Sequence, residues 1–236
     1  MSPEPDIPPF LDRRPLIWSY SLLDAFYNKC ALSAQAMYID RSIPYVETPE
    51  RKFGNDGHDA LDKRVGGGKP LPEQYQFCEP FAVPFDGRQV ATESWYYIDT
   101  DGRACERNSP KKFGHGKIDL ALVQGETAFI NDWKFVSDKA LRYEDPFEIK
   151  IFGLLLKAKY PQLKTIKGTY TYLKQSKTSQ VYDVSDTGAT WNLVCSIMQT
   201  IYNYRRINEF PKKVTPLCGW CGRFECSDNT NPDRPA

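Results

Sequence analysis

The sequence lacks the features that would place it in a membrane or an oxidising compartment. No apolar run approaches the ~20 residues that cross a bilayer. The opening stretch MSPEPDIPPFLDRRP is acidic and proline-rich and has no apolar centre, so it does not read as a secretory leader. Excess charge is also missing: 31 lysines and arginines against 30 aspartates and glutamates leave a net +1. A polyanion would therefore have to be met by charge segregated locally. No internal repeat is apparent, which removes solenoid architectures. Seven cysteines are an odd number, and without a secretory signal they argue against a disulfide framework. What remains is a soluble intracellular protein. Its 236 residues, 41% hydrophobic, suffice for one good core. The expected organisation is a flexible arm over 1–18, one domain over 19–226 and a disordered tail over 227–236.

Basic residues gather late, at Lys157, Lys159, Lys164, Lys167, Lys174 and Lys177, then at Arg205, Arg206, Lys212 and Lys213. Each run alone reads as a solvated face. Apolar spacing predicts a helix over 19–39 capped at Ser21, and a shorter one over 53–65 ended by Gly66–Gly68. Strands are expected over 75–83 and 90–99, followed by a polar loop over 100–115. Asp145, Pro146 and Pro161 bracket a helix at 146–160. Strands at 165–174 and 179–184 and a helix at 189–209 complete an α/β sandwich.

The sharpest local signal is a hairpin. Residues 117–123, KIDLALV, and 127–136, TAFINDWKFV, are separated by Gln124-Gly125-Glu126, which suits a type II′ turn. That turn pairs Gln124 with Thr127 and, carried onward, sets Asp119 opposite Asp132, with Cβ atoms about 5 Å apart on one face. Strand alternation adds Lys134 to the same face. The flanking residues are apolar, so the strands read as covered on both sides. Two carboxylates facing each other in a covered sheet repel and lose hydration. A hard divalent cation such as Mg²⁺ or Mn²⁺ offsets that, and a lysine beside it can steady a phosphate or orient a water. The bland alternative is one strand-ending aspartate and one aspartate paired with Lys134, and a one-residue slip in register would break the constellation.

These residues resemble the core of PD-(D/E)xK nucleases, with Asp119 as the first acid and Asp132-Trp133-Lys134 as the D-x-K element. The wider pattern, over about 19–226, looks like the RecB-like branch with its phage and CRISPR-associated members. The resemblance implies a restriction-endonuclease-like α/β/α sandwich with a central mixed sheet. It also implies a metal-dependent deoxyribonuclease, an exonuclease or end-processing enzyme acting on single-stranded DNA or duplex ends. Recombination, replication or CRISPR-adaptation proteins would be its partners, in a bacterial or phage-infected cytoplasm. Residue by residue, His58 after Gly54-Asn55-Asp56-Gly57 matches a metal-binding histidine, and Glu93 matches an acidic position that supports the metal. Asp119, Asp132 and Lys134 take the catalytic roles. His115, Glu148 and Lys150 are candidate DNA contacts. The chain departs from the branch where a Q-x-x-x-Y motif is expected. Glu148 and Phe152 stand there instead, and a capping box with Asp145 accounts for Glu148 equally well.

Cys218, Cys221 and Cys226 have C-x₂-C-x₄-C spacing and need a fourth ligand for a tetrahedral metal or a cubane cluster. Cys30 is the candidate. With the trio it resembles the arrangement of RecB-like nucleases that carry a 4Fe-4S cluster, where one cysteine precedes the core and three follow it. Zinc is the alternative, since spacing does not separate the metals. Cys195 reads as core, and Cys78 and Cys105 as ordinary residues. Two other functional classes stand beside the nuclease. A DNA-binding module that no longer cuts would lack metal-dependent cleavage. A cluster-bearing redox sensor would change its DNA affinity on reduction.

Overall fold

The computed structural model describes residues 15–43, 46–136, 145–230 and 232. Most of the expected arm, 1–14, and the end of the expected tail lie outside the described residues. Trp18, assigned to the arm, is fully buried, and Asn229 in the tail is 6% exposed, its amide donating to the carbonyls of Cys221 and Arg223. The chain forms two compact units. One is Val46–Trp191; the other joins the residues before 46 to those from Asn192 onward.

The larger unit is a mixed α/β layer structure around a six-stranded sheet, consistent with a restriction-endonuclease-like fold. Its strands are β1 (Val90–Asp99), β2 (Lys112–Gln124), β3 (Thr127–Lys134), β4 (Thr165–Tyr172), β5 (Lys177–Thr178) and β6 (Tyr182–Asp183). The order is β1-β2-β3-β4-β5, with β6 also on β4; only β3 and β4 run parallel. That parallel step needs a crossover, and α5 (Phe147–Lys159) supplies it. Asp145 accepts the Phe147 N–H ahead of α5, and the chain leaves it just before Pro161.

α3 (Pro49–Gly67) packs on the opposite face of β3. Leu120 and Trp133 join Ala60 and Leu61 of α3 in one core, whereas a Cβ on Gly168 would press on Ile149 of α5 beside Ile130. Helix α3 is longer than the 53–65 expected. Thr48 caps it by accepting the Arg51 N–H, Pro49 opens it, and Gly68 ends it at φ 66°.

Residues 75–83 are helical, not a strand. A 3₁₀ turn (Glu73–Cys78) leads into α4 (Glu79–Ala82), with Tyr75, Cys78 and Ala82 buried at helical spacing and Pro80 opening α4.

In the smaller unit the helix expected over 19–39 is broken. α1 is Tyr20–Tyr27, capped by Ser19 rather than Ser21, and α2 is Ala31–Ala34, continuing as a π-helical turn through Ile39. The remaining helix, α6 (Thr187–Ile207), begins within the larger unit and runs into the smaller one from Asn192. No helix among the described residues is long and apolar enough to cross a membrane.

Candidate active site

The hairpin register matches the sequence reading: Gln124 pairs with Thr127 and the ladder runs to Leu120 with Asn131. Gly125 alone in the turn has positive φ, 59°, as a type II′ turn requires. The next two residues are Asp119 and Asp132, and there the ladder stops. Beyond that point β2 pairs only with β1, and β3 only with β4. The two strands part, and the carboxylates stand where they separate. Asp119 accepts the N–H of Trp133 at 2.8 Å, which satisfies a backbone donor that the ended ladder would leave buried and unpaired.

Groups from both faces converge on this opening. From α3, His58 places Nδ1 3.3 Å from Glu93 and 3.4 Å from Asp119. One ligand atom each of His58, Glu93 and Asp119 falls within a 4.8 Å span. From α5, Glu148 meets the Lys134 ammonium at 2.6 Å, while Asp132 meets it at 2.7 Å. Glu148 is thus engaged with the site lysine rather than in a capping box. His58 is held in place by its neighbour Gly57, because a Cβ there would collide with the Phe135 ring that packs on α3.

The electrostatics follow from burial and company. Burial works against a charged His58, but Glu93, Asp119 and Asp132 outweigh it and raise its pKa. Burial alone would lift Glu93; His58 and Lys117, which pairs with it, hold it low instead. Burial pushes Asp119 up, against the pull of His58, and Asp132 well up, against Lys134. Burial would lower Lys134, yet Asp132 and Glu148 keep its pKa well above that of a free lysine. His58 Nδ1, both Glu93 oxygens and Asp132 Oδ2 are buried and are met by ion-pair contacts, His58 with Glu93 and Asp119, Lys117 with Glu93 and Lys134 with Asp132. Carboxylate oxygens and an imidazole nitrogen gathered this closely suit a hard cation.

Of the residues named from sequence, His58, Glu93, Asp119, Asp132, Lys134 and Glu148 come together. His115 lies along the β1–β2 strands among aromatic rings, and Lys150 is exposed on α5. Lys117 was not anticipated. Its signal was its place two residues before Asp119 and across from Trp95 on β1.

Cys30, Cys218, Cys221 and Cys226 line one cavity of about 210 Å³ in the smaller unit, and none is disulfide-bonded. The Sγ of Cys30 accepts the Lys213 N–H, and that of Cys218 accepts the Thr215 N–H, both at 3.4 Å. Among the described residues no three of these sulfurs lie within 4.8 Å of one another.

No family model and no curated protein matches the chain. Among solved structures it is similar to a crystal structure from Eubacterium rectale described as a "Putative exonuclease", with TM-score 0.51, 13% identity and 87% of each chain covered. A structure described as SSO0001 is more remote, with TM-score 0.38 and 11% identity over 80% of this chain and 92% of that one. The first likeness is one of fold.

Proposed function

We propose that the protein is a metal-dependent nuclease that hydrolyses phosphodiester bonds in DNA, acting as an exonuclease or end-processing enzyme. The observation that carries this reading is the convergence of His58, Glu93 and Asp119 on one small volume beside the Asp132–Lys134 pair. The exonuclease description of the Eubacterium rectale structure, on a similar fold, agrees with it.

His58, Glu93, Asp119 and Asp132 would hold Mg²⁺ or Mn²⁺. The ion, when bound, polarises a phosphate and lowers the pKa of a water. The protein's own groups do the rest. Lys134, clamped between Asp132 and Glu148, would steady the charge that builds on the phosphate or orient the attacking water. Glu148 takes the place of the glutamine expected from the family and serves to aim that lysine.

The cysteine cavity is read as a 4Fe-4S site with a structural role. The donor set fits: four thiols outside any disulfide, two already receiving N–H bonds of the kind that tune cluster sulfurs. Zinc on the same four sulfurs is the alternative, since their spacing in the chain does not separate the metals.

The test is incubation of end-labelled single- and double-stranded DNA with Mg²⁺, Mn²⁺ or EDTA. Cleavage is expected with either metal and none with EDTA. Cleavage that survives Asp132→Asn would refute the reading.

A further inference from the structure

The β1–β2 surface beyond the metal-ligand group carries an arrangement that cutting does not use. Trp95 and Tyr97 are alternate residues of β1. Their rings are nearly parallel, 12° apart, with centroids separated by 6.3 Å. His115, the cross-strand partner of Tyr97, completes the cluster at 5.5 Å from Trp95 and 6.3 Å from Tyr97. Trp95 is 53% exposed, an expensive way to display a large ring if its only task were packing. Cross-strand aromatic pairs do stabilise strands, but burial would serve that purpose better.

Three observations point to an occupant. The row Tyr97, Trp95, Glu93 leads along one strand into the metal-ligand group. Cations flank it: Lys112 lies 5.5 Å from the Tyr97 ring centre, and Lys117 pairs with Glu93. Finally, His115 Nδ1 is buried with no hydrogen-bond partner. Burial and nearby Lys112 lower the His115 pKa, which leaves a neutral ring suited to stacking.

We infer that Trp95, Tyr97 and His115 form a stacking platform for the unpaired bases of a single-stranded nucleic-acid end, delivering it to His58, Glu93 and Asp119. This rests on the nuclease reading of that site. Alternate strand residues repeat every ~6.8 Å, twice the ~3.4 Å step of stacked duplex bases, so the rows match an extended strand. Duplex bases already have both faces covered by their neighbours.

The test uses the full chain in EDTA, with fluorescence anisotropy on labelled oligothymidylate and on a blunt DNA duplex. From the stacking worth of one base, Trp95→Ala and Tyr97→Ala should each weaken oligothymidylate binding by about 5- to 150-fold and blunt-duplex binding by less than ~2-fold. Trp95→Phe should retain most of the affinity. In the unaltered protein, oligothymidylate and not duplex should quench tryptophan fluorescence, a readout that needs no variant to fold. Unchanged oligothymidylate affinity in both alanine variants, or equal losses on both ligands, overturns the platform. Cleavage with Mn²⁺ is scored separately. Metal-dependent cutting without platform-dependent binding refutes the platform alone. Platform-dependent binding without cutting supports the platform and refutes the nuclease reading.

Discussion

Asp119 sits where two demands conflict. To hold the proposed cation it must be charged, yet its burial favours the protonated form and raises its pKa. An acid whose folded pKa lies above its unfolded value near ~3.9 takes up protons on folding. The stability it contributes is therefore lost as pH rises through that window, and at pH 7 it is a net cost. Asp119→Asn should raise the melting temperature of the metal-free protein at pH 7 while abolishing cleavage. Mn²⁺ at about 100 times its Kd should stabilise the unaltered protein by about 2.7 kcal/mol and the variant by far less, as read by calorimetry. An equal metal shift in both would show that Asp119 is not a ligand. For Lys134, replacement by alanine should lower the cleavage rate by roughly 10²- to 10³-fold. It should also destabilise the fold, because Asp132 and Glu148 lose their shared cation. Rate and unfolding by urea, measured on one preparation, separate the two effects.

At the scale of elements, α3 is set by its ends and by one glycine. Removing the cap with Thr48→Ala should cost about 1 kcal/mol. Gly57→Ala has opposing terms: a gain of up to about 1 kcal/mol in helix propensity against overpacking of about 1–3 kcal/mol where the new Cβ meets Phe135. Urea midpoints should show net destabilisation, and Mn²⁺ affinity should fall because His58 is the next residue.

Much of this level was legible in the sequence. The hairpin and its register follow from Gln124-Gly125-Glu126 and the apolar runs on either side. The separation of β2 from β3 at the two aspartates was not, since a register argument carries pairing onward until something stops it. Residues 75–83 were misread because a dense apolar run fits a buried strand and a helix equally. The spacing of Tyr75, Cys78 and Ala82, with Pro80 between them, was the deciding detail. Cys30 and the C-terminal trio were legible from spacing and resemblance, but Lys117 had no motif to announce it.

For the whole molecule, chain ends matter more than chain length. The smaller unit is assembled from the residues before 46 and those from Asn192 on, and its cavity draws Cys30 from one end and Cys218, Cys221 and Cys226 from the other. A cluster there would close a loop of nearly the whole chain. Anaerobically purified protein should contain iron, and Cys218→Ser should lose it. Hydrogen exchange should then accelerate around 20–40 and 212–229, with the β2–β3 hairpin little changed. Stoichiometric zinc without iron would remove the cluster claim and leave the clamp.

One residue of β1 has a reach beyond its carboxylate. Glu93 has φ 45°, a left-handed backbone unusual for a non-glycine in a strand. Before it, Thr92 bonds Asp62 of α3, with Val90 packed on the same core. After it, Tyr96 lies opposite Gly116, where a Cβ would meet Leu155 of α5 at 2.7 Å. Thr92 and Tyr96 are four apart and would share a face in an even strand; here they do not. A saturation scan of β1 should accordingly show the even-numbered positions intolerant on both sides of Glu93, although they pack on opposite faces of the sheet. Because of that change of face, a single strand feeds two different helices and still turns Trp95 and Tyr97 outward, so the twist at Glu93 acts as a splice between the end of the strand that carries the carboxylate and its open end.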